Sequence, residues 1–291
     1  MKKSKKFIVR FILKYGKKYL PTWIYSLILF IRTFKKFKTE INKEKSIEKF
    51  SKNLDEINNY EFKYTSQNNE DGIIEYIFNK IPNNKKFVEI GFGFYEFNSL
   101  NLIKKGWVGK LIDIDKDECL ALNKLMNFFF PKVRVKIINK RVLKDNINDL
   151  VYSGFNEQII DFLSLDIDGN DYWVLKELNV QNINVICCEY NNYLGNNVKK
   201  TIPYNPDHVF KNDGCNGASL GAMTDLLESK GFALIAVESS GTNGFFVKKE
   251  LAKSFKVLSA TKSWKAVDRH NSQKQVSFIK NSVKNYKFMD L

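Results

Sequence analysis

Between residues 72 and 247 the chain alternates short apolar runs with longer amphipathic stretches. The apolar runs have the length of buried strands, and the stretches between them place apolar residues at helical spacing. The predicted strands are residues 87–90, 110–114, 133–138, 161–165, 185–188, 232–237 and 244–247. The predicted helices are residues 72–80, 96–105, 117–128, 146–151, 172–178 and 217–230. This alternation predicts a mostly parallel sheet covered by helices on both faces.

The last two predicted strands break the alternation. Only about six residues, 238–243, lie between them, whereas a parallel crossover needs roughly a dozen or more. We therefore expect a hairpin, which makes one of these two strands antiparallel. The pattern predicts an α/β fold with a Rossmann-like seven-stranded sheet, mostly parallel, that ends in a C-terminal antiparallel hairpin.

Charge divides the chain into three parts. Residues 1–50 carry fifteen Lys or Arg against three Glu, residues 251–291 carry nine against two Asp, and the middle has a net charge of −4. The chain is predicted to have a basic amphipathic helical extension over 1–60, a globular domain over 61–250 and a basic extension over 251–291. Because nucleic-acid-binding domains usually carry their positive charge on the folded core, we expect no nucleic-acid partner. The flanks favour an anionic membrane surface or an acidic partner.

The N-terminal segment favours contact with a membrane surface rather than a membrane span. Its longest uncharged stretch, residues 19–31, contains a proline and is shorter than the roughly 20 apolar residues of a span. Phe7, Ile8, Phe11 and Ile12 recur at helical spacing between lysines and an arginine, a pattern typical of an interfacial helix. A solvated helical hairpin packed on the domain is the alternative.

The cysteines indicate a reducing compartment. None of the four forms a CxxC pair, and Cys187 and Cys188 are adjacent in an apolar run, where cysteine acts as a small hydrophobic residue. The chain has only two histidines, neither spaced with the cysteines, which disfavours zinc. We expect a cytoplasmic protein, peripheral at the inner face of the membrane if its N-terminus binds lipid.

The turn after the first predicted strand, FVEIGFGFYE, is a candidate ligand site. Gly91 and Gly93 match the first two glycines of the dinucleotide fingerprint G-x-G-x-x-G, but Glu96 stands at the third position. A carboxylate there occupies the positive end of the helix that would hold a pyrophosphate. The turn therefore disfavours NAD and FAD.

An acid followed by G-x-G also fits S-adenosylmethionine, a ligand without phosphate. Its candidate binding residues in this turn are Glu89, Gly91 and Gly93, although Tyr95 replaces the last glycine of the usual pattern. A tight turn without a ligand is the alternative.

A carboxylate that binds the ribose hydroxyls is expected about 20 residues beyond the first glycine. Asp113 and Asp115 lie at this distance, 22 and 24 residues past Gly91. We assign the ribose to Asp113 because it ends the apolar run, and Asp115 is the alternative that caps the following helix.

The fourth predicted strand ends in three acids, Asp166, Asp168 and Asp171, in the run DFLSLDIDGNDYW. Carboxylates at the end of a parallel strand line the ligand crevice and raise one another's pKa. We assign Asp166 to cofactor binding and Asp168 to catalysis. Asp171 belongs either to the site or to the cap of the next helix. A divalent metal on Asp166 and Asp168 is left open.

A long irregular stretch follows the fifth predicted strand, which ends at Glu189. About 25 residues without a regular pattern inside a compact domain often form a functional loop. His208, within TIPYNPDHVF, is a candidate general base that takes a proton from a hydroxyl. A packed loop histidine is the alternative.

Residues 85 to 250 resemble the FkbM-like branch of S-adenosylmethionine-dependent methyltransferases. The runs that carry the resemblance are FVEIGFG, GWVGKLIDID, DFLSLDIDGNDYW, CCEYN, TIPYNPD, GASLGAM and GTNGFFV. The resemblance implies a class I methyltransferase sheet and O-methylation of a sugar or another small hydroxylated acceptor, in surface-glycan or natural-product biosynthesis. It carries the family's donor loop, ribose acid and post-strand acids onto Glu89, Gly91, Gly93, Asp113, Asp166 and Asp168.

Two other classes of protein fit parts of the pattern. A non-catalytic, membrane-associated binding protein with the same fold would explain the basic flanks, but it has no need of carboxylates at three neighbouring strand ends. A nucleotide-dependent dehydrogenase is disfavoured by Glu96. The sequence leaves the acceptor and the oligomeric state undetermined.

Overall fold

The computed structural model describes residues 55–93, 97–155, 158–266 and 273–291, together with positions 21, 31, 34, 35, 37–39, 41, 42 and 45–47. The chain forms two compact units, Met1–Lys43 and Glu44–Leu291, and the features below belong to the second. The predicted interfacial helix around residues 7–12 lies outside the described residues, as do Tyr95 and Glu96. In the part of the chain that the structure describes, no helix is long and apolar enough to cross a bilayer.

The second unit has the alternating strands and helices that the pattern predicts. Its strands are β1 Lys86–Ile90, β2 Val108–Asp113, β3 Val135–Asn139, β4 Ile160–Leu165, β5 Ile183–Glu189, β6 Lys200–Thr201, β7 Phe232–Val237, β8 Asn243–Lys248 and β9 Met289–Asp290. Its helices are α1 Glu70–Phe78, α2 Leu100–Lys104, α3 Lys116–Phe129, α4 Ile147–Tyr152, α5 Asp171–Glu177, α6 Leu220–Ser229, α7 Ala260–Ser263 and α8 Gln273–Asn285. Short 3₁₀ helices cover Glu56–Tyr60, Asn192–Leu194 and Ala252–Ser254. All seven predicted strands are present, with bounds shifted by at most two residues.

Seven strands form one sheet in the order β3-β2-β1-β4-β5-β8-β7. The strands β1 to β5 pair in parallel with one another. Strand β8 lies between β5 and β7 and runs antiparallel to both. The predicted hairpin is therefore confirmed, with β8 as its antiparallel member.

The central strands are buried on both faces. Every residue of β4 is buried, as are six of the seven residues of β5, because helices cover both faces of a mostly parallel sheet. Cys187 and Cys188 are buried within β5, as expected for small hydrophobic residues. The edge strand β3 instead has only half-buried and exposed positions.

Polar side chains that follow the strands start the helices. The Asp115 carboxylate accepts a hydrogen bond from the backbone N–H of Glu118 at 2.9 Å, which caps α3 and confirms the capping alternative for Asp115. In the same way Ser219 accepts from the backbone N–H of Ala222 at the start of α6.

The segment before β1 is tied to the β7–β8 turn by buried polar groups. The Asn58 amide donates to the carbonyl oxygen of Val237 at 2.9 Å, and the Glu61 carboxylate accepts from the backbone N–H of Ser239 at 2.7 Å. Burial raises the pKa of Glu61, and the hydrogen bonds from Ser239 and Asn58 oppose the rise. These contacts hold the segment that carries Gln67 beside the cavity described below.

The C-terminal segment also packs on the second unit. Strand β9 pairs antiparallel with β6, and Ile279 of α8 is only 1% exposed. The buried Lys265 ammonium lies 3.5 Å from the Asp55 carboxylate. The proposed domain limits at residues 60 and 250 stay predictions. A strand as short as β6 or β9 has no periodicity, which is why the sequence pattern missed this pair.

Candidate functional site

A cavity of about 660 Å³ lies at the carboxyl ends of β1, β2, β4 and β5. Ligands of open α/β sheets bind at this edge, and the volume is typical of small-molecule sites. All the residues assigned to the site from the sequence line this cavity: Glu89, Gly91, Gly93, Asp113, Asp166, Asp168 and His208.

The lining divides into two parts with different origins. One part, which we name the strand side, consists of residues 89–93, 112–114 and 166–168 at the ends of β1, β2 and β4. The other, which we name the loop side, consists of residues in 189–193 and 208–216, together with Ile279 of α8.

The glycine turn on the strand side is shaped by the backbone of β4. Gly91 has a φ of +76°, and a Cβ atom on it would lie 1.5 Å from the carbonyl oxygen of Asp166. Its N–H donates to Ile112 at 2.9 Å, while the Asp166 N–H donates to Ile90 at 2.9 Å. Only glycine fits here, because β1 and β4 approach each other so closely.

Glu89 holds the far end of the same turn. Its buried carboxylate accepts from the backbone N–H groups of Asn98 and Ser99, both at 2.8 Å, and from the Ser99 hydroxyl. Burial raises the pKa of Glu89 to about 7, and the hydrogen bonds from Ser99 and Asn98 oppose the rise. Glu89 therefore fixes the chain at Asn98 and Ser99, just beyond the turn, while it lines the cavity. The effect predicted for Glu96 concerns a residue outside the described part of the chain.

Asp113 ends β2 at the cavity. Its carboxylate accepts from the backbone N–H of Asp115 at 2.7 Å, and backbone N–H groups of Ile114 and Phe92 also approach it. Burial raises the pKa of Asp113, while these hydrogen bonds oppose the rise. The contact with Phe92 joins Asp113 to the glycine turn, where a ribose is predicted to bind.

Three carboxyl groups converge between the two sides. Oxygen atoms of Asp166, Asp168 and Glu189 lie within 4.8 Å of one another. Burial, followed by the charges of Asp168 and Asp171, raises the pKa of Asp166 well above its ordinary value, and a hydrogen bond with Glu189 opposes the rise. Such oxygens suit a divalent cation, and the predicted metal stays a prediction.

Asp171 supports the loop after β4. Its carboxylate accepts from the backbone N–H groups of Ile167 and Gly169, both at 2.9 Å. Burial raises the pKa of Asp171 to about 6, although these hydrogen bonds oppose the rise. Asn170 holds the N-cap position of α5, so the alternative that places the cap at Asp171 is wrong by one residue. Asp168, in the same loop, has a φ of +53°, which is uncommon for a residue other than glycine.

His208 packs against this loop from a point 40 residues further along the chain. Its Nε2 atom lies 3.1 Å from the carbonyl oxygen of Asp168. A Cβ atom on Gly169 would lie 2.3 Å from Cδ2 of the imidazole, so the ring rests directly on the glycine. Burial raises the pKa of Asp168, and the nearby His208 opposes the rise.

Sequence reasoning missed the side chains that hold the loop side. The Asn191 amide donates to the carbonyl oxygens of Gly214 and Asn216 at 2.6 and 2.8 Å. The guanidinium of Arg141 donates to the carbonyl oxygens of Pro206 and His208. Asn191 follows Glu189, which ends a strand, and this position at the ligand edge of the sheet could have indicated it as a site residue. Arg141 and Ile279 lie too far along the chain for any local pattern to indicate them.

Comparison with models of known protein families finds no match, and no curated protein matches the sequence. The FkbM-like resemblance is therefore not confirmed. Several solved structures resemble part of the chain. Magnesium protoporphyrin IX methyltransferase from Synechocystis PCC 6803, with bound S-adenosylmethionine, is 10% identical over 62% of this chain and 77% of that chain, with a TM-score of 0.37.

Two further structures resemble the chain to a similar degree. An S-adenosylmethionine-dependent methyltransferase from Clostridium acetobutylicum ATCC 824 is 13% identical over 62% of this chain and 90% of its own, with a TM-score of 0.39. The N-terminal domain of EvdMO1, with bound S-adenosylhomocysteine, is 11% identical over 75% and 94%, with a TM-score of 0.42. Likeness at this level supports no argument about function. The strand order of the chain itself is that of a Rossmann-like, mostly parallel seven-stranded sheet that ends in an antiparallel hairpin.

Proposed function

We propose that the chain is an S-adenosylmethionine-dependent methyltransferase that acts on a hydroxyl group of a small acceptor. The observation that carries this proposal is the single cavity in which the glycine turn, Asp113 and the acids after β4 meet. The sheet order, with β8 inserted between β5 and β7, supports it independently.

The charges on the cavity favour S-adenosylmethionine over a dinucleotide. Among the described residues, five carboxyl groups line the cavity, at Glu89, Asp113, Asp166, Asp168 and Glu189, together with two cationic side chains, Lys140 and Arg141. The excess of carboxyl groups disfavours the phosphates of a dinucleotide and suits a ligand that carries a sulfonium and an ammonium group. A carboxylate at Asp113 also accepts both hydroxyls of a ribose through charge-assisted hydrogen bonds.

The loop side fits the reacting partner. When bound, S-adenosylmethionine supplies an electrophilic methyl group. Asp168 and His208 stand at the junction of the two sides, where either could accept the proton of an acceptor hydroxyl. The remaining contribution of the chain is to align the acceptor with the donor in the cavity.

Amide and aromatic side chains on the loop side favour a hydroxylated, uncharged acceptor. They offer hydrogen-bond donors and acceptors without a net charge, and the members that line the cavity are Asn191, Asn192, Tyr193, Asn212 and Asn216. This lining supports a sugar or a related molecule, in line with the FkbM-like resemblance and a role in surface-glycan or natural-product biosynthesis.

Calorimetry of the full chain with S-adenosylmethionine, S-adenosylhomocysteine and NAD tests the proposal. We expect both sulfur ligands to bind and NAD not to bind. Asp113→Ala should weaken S-adenosylhomocysteine binding by about 1–3 kcal/mol, the range for hydrogen bonds to a charged group. Asp145→Ala, at an exposed aspartate that does not line the cavity, is the matched control. A folded protein that binds NAD and neither sulfur ligand would overturn the proposal.

We also propose that the basic N-terminal segment docks the enzyme on an anionic membrane surface. The charge of residues 1–50 and the aromatic and aliphatic residues among them support this docking. Co-sedimentation with vesicles that contain phosphatidylserine should be strong at low salt and weak at high salt. Equal binding to neutral vesicles, or no binding at all, would contradict it.

A further inference from the structure

We propose that three residues, Arg141, Gly169 and Asn170, hold His208 in the cavity, an arrangement that we name the seat of His208. One edge of the imidazole is occupied, and Nδ1 is left to take a proton. The inference rests on the proposed function, because it makes His208 the residue that receives the acceptor's proton. It assigns to three residues a role in positioning His208, and two of them, Arg141 and Asn170, also line the cavity.

The first contact sets the orientation of the ring. The Cδ2 and Nε2 atoms of His208 lie nearest to the position that a Cβ atom on Gly169 would take, at 2.3 and 2.8 Å. Because the carbonyl oxygen of Asp168 can only accept a hydrogen bond, Nε2 at 3.1 Å must carry the hydrogen. The lone pair is then on Nδ1, which belongs to the edge directed away from Gly169.

The second contact locks the turn that carries His208. The Asn170 amide donates to the carbonyl oxygen of Asn205 at 2.7 Å, and its own oxygen accepts from the Asn205 N–H at 3.3 Å. The Asn205 carbonyl also accepts from the backbone N–H of His208 at 3.0 Å. This pair of amide contacts joins the DGN run after β4 to the NPDH run in the long loop, 35 residues apart.

The third contact comes from a different strand end. Arg141 follows β3, and its Nη1 atom donates to the carbonyl oxygens of Pro206 at 3.1 Å and His208 at 3.4 Å. Arginine stays charged at all relevant pH values, so these charge-assisted bonds persist. His208 is thus held between the end of β3 and the loop after β4.

Burial alone would not hold this turn. The two residues that follow His208, Val209 and Phe210, are 63% and 46% exposed. A turn with so little buried apolar surface opens easily unless polar contacts restrain it. We therefore attribute the seating of His208 to the three contacts and not to packing.

The sequence makes the seat directly observable. His208 and His270 are the two histidines of the chain, so His270→Gln leaves His208 as the single source of imidazole signals in NMR spectra. In the full chain labelled with ring-¹³C histidine, we expect a nuclear Overhauser effect between Hδ2 of His208 and the Hα atoms of Gly169. We also expect the ring signals to shift when S-adenosylhomocysteine is added.

Arg141→Gln in this background should remove the Overhauser effect. Arg141→Lys, which keeps a charged donor, should restore part of it. Arg134→Gln, at an exposed arginine beside β3, is the matched control and should leave the effect intact. An Overhauser effect that persists in Arg141→Gln would overturn the role of Arg141.

Gly169→Ala tests the seat if Arg141→Gln does not fold. Gly169 does not have a positive φ, so its backbone tolerates alanine, and the added methyl group would occupy the position of the ring. We expect the His208 signals to move to the positions of a solvent-exposed histidine. Unchanged ring signals in Gly169→Ala, or no Overhauser effect in the parent chain, would overturn the seat. A parent chain that shows the seat but binds no S-adenosylhomocysteine would instead overturn the proposed function.

Discussion

The two sides of the cavity are built in different ways. On the strand side, neighbouring backbones define the geometry, as where Gly91 meets the Asp166 carbonyl and exchanges hydrogen bonds along the ends of β1, β2 and β4. On the loop side, side chains from distant segments hold the chain, as where Asn191 binds Gly214 and Asn216. Where the backbone defines the cavity, almost no substitution is tolerated. Where single side chains hold the chain, each contact can be removed separately.

This difference matches the tasks that we propose for the two sides. A donor that is the same in every turnover suits a rigid wall made by the sheet. An acceptor that differs between related enzymes suits a loop whose shape depends on a few replaceable contacts. The comparison can be tested by substitutions on each side, with stability and S-adenosylhomocysteine affinity measured together.

The largest effect should come from Gly91→Ala. The added Cβ atom would lie 1.5 Å from a backbone oxygen, and the φ of +76° disfavours any side chain. We expect a loss of about 3 kcal/mol or more in the free energy of unfolding, together with loss of S-adenosylhomocysteine binding. Urea titration and calorimetry measure both. Gly106→Ala has a similar φ of +82° but no atom within 4 Å, so it should lose only about 1 kcal/mol. Equal effects in the two variants would contradict a backbone-defined strand side.

The second effect concerns pH and Glu89. Because burial raises its pKa from 4.5 to about 7 in the folded protein, the folded chain binds a proton that the unfolded chain releases between these values. The contribution of Glu89 to stability is therefore complete below about pH 4.5 and is lost as pH rises through about 7, by up to about 3 kcal/mol.

Urea titrations at pH 5.5 and 8 check this prediction. Other buried acids titrate in the same direction, so the difference between the parent chain and Glu89→Gln is the relevant quantity. Glu89→Gln should reduce the decrease in stability between the two pH values, and Glu228→Gln, at an exposed site on α6, should not. The same pH dependence in all three proteins would show that Glu89 ionises as freely as an exposed acid.

A third, smaller effect is expected for Ile279→Ala on the loop side. Ile279 is 1% exposed, and its Cγ2 atom would lie 2.6 Å from a Cβ atom on Gly214. Removing its buried methyl groups should decrease the free energy of unfolding by about 2 kcal/mol. Phe278→Ala, on the same helix but at a residue that is 52% exposed, should change it by less than about 0.5 kcal/mol. A similar loss in both variants would mean that α8 is not seated on this loop.

The smallest effect is expected for Asn191→Ala. Its amide makes two hydrogen bonds to the long loop, and their loss should decrease stability by about 1 kcal/mol. Amide hydrogen exchange in residues 212–217 should become faster, while S-adenosylhomocysteine affinity stays unchanged. A large loss of that affinity would show that the two sides are not independent.

Much of the fold could be predicted because its signals are local. The apolar runs of β1 to β5, β7 and β8 are continuous in the sequence, and a connection of about six residues permits only a hairpin. The residues of the strand side were found for the same reason, since Gly91, Asp113 and Asp166 each follow an apolar run directly. Asp115 was a candidate cap because it stands immediately before a helix.

The loop side could be predicted only in part. His208 was a candidate, but its contacts with Gly169 and Asp168 join residues about 40 positions apart and leave no periodic trace. Arg141 and Ile279 carry no local signal at all. The two-residue strands β6 and β9 also give no local signal. A strand is recognisable in the sequence only when it is long enough to show alternating apolar and polar residues.

The sequence by itself therefore determined the order of strands and helices, the antiparallel hairpin and the acids at the strand ends, since each depends on residues that are adjacent or one turn apart. Only the tertiary structure decided that those acids share one cavity, that Glu89 fixes the chain just beyond the turn, and that Arg141, Gly169 and Asn170 surround His208. These outcomes depend on which segments meet in space, and that is set by the packing of the whole sheet rather than by any single stretch of the chain.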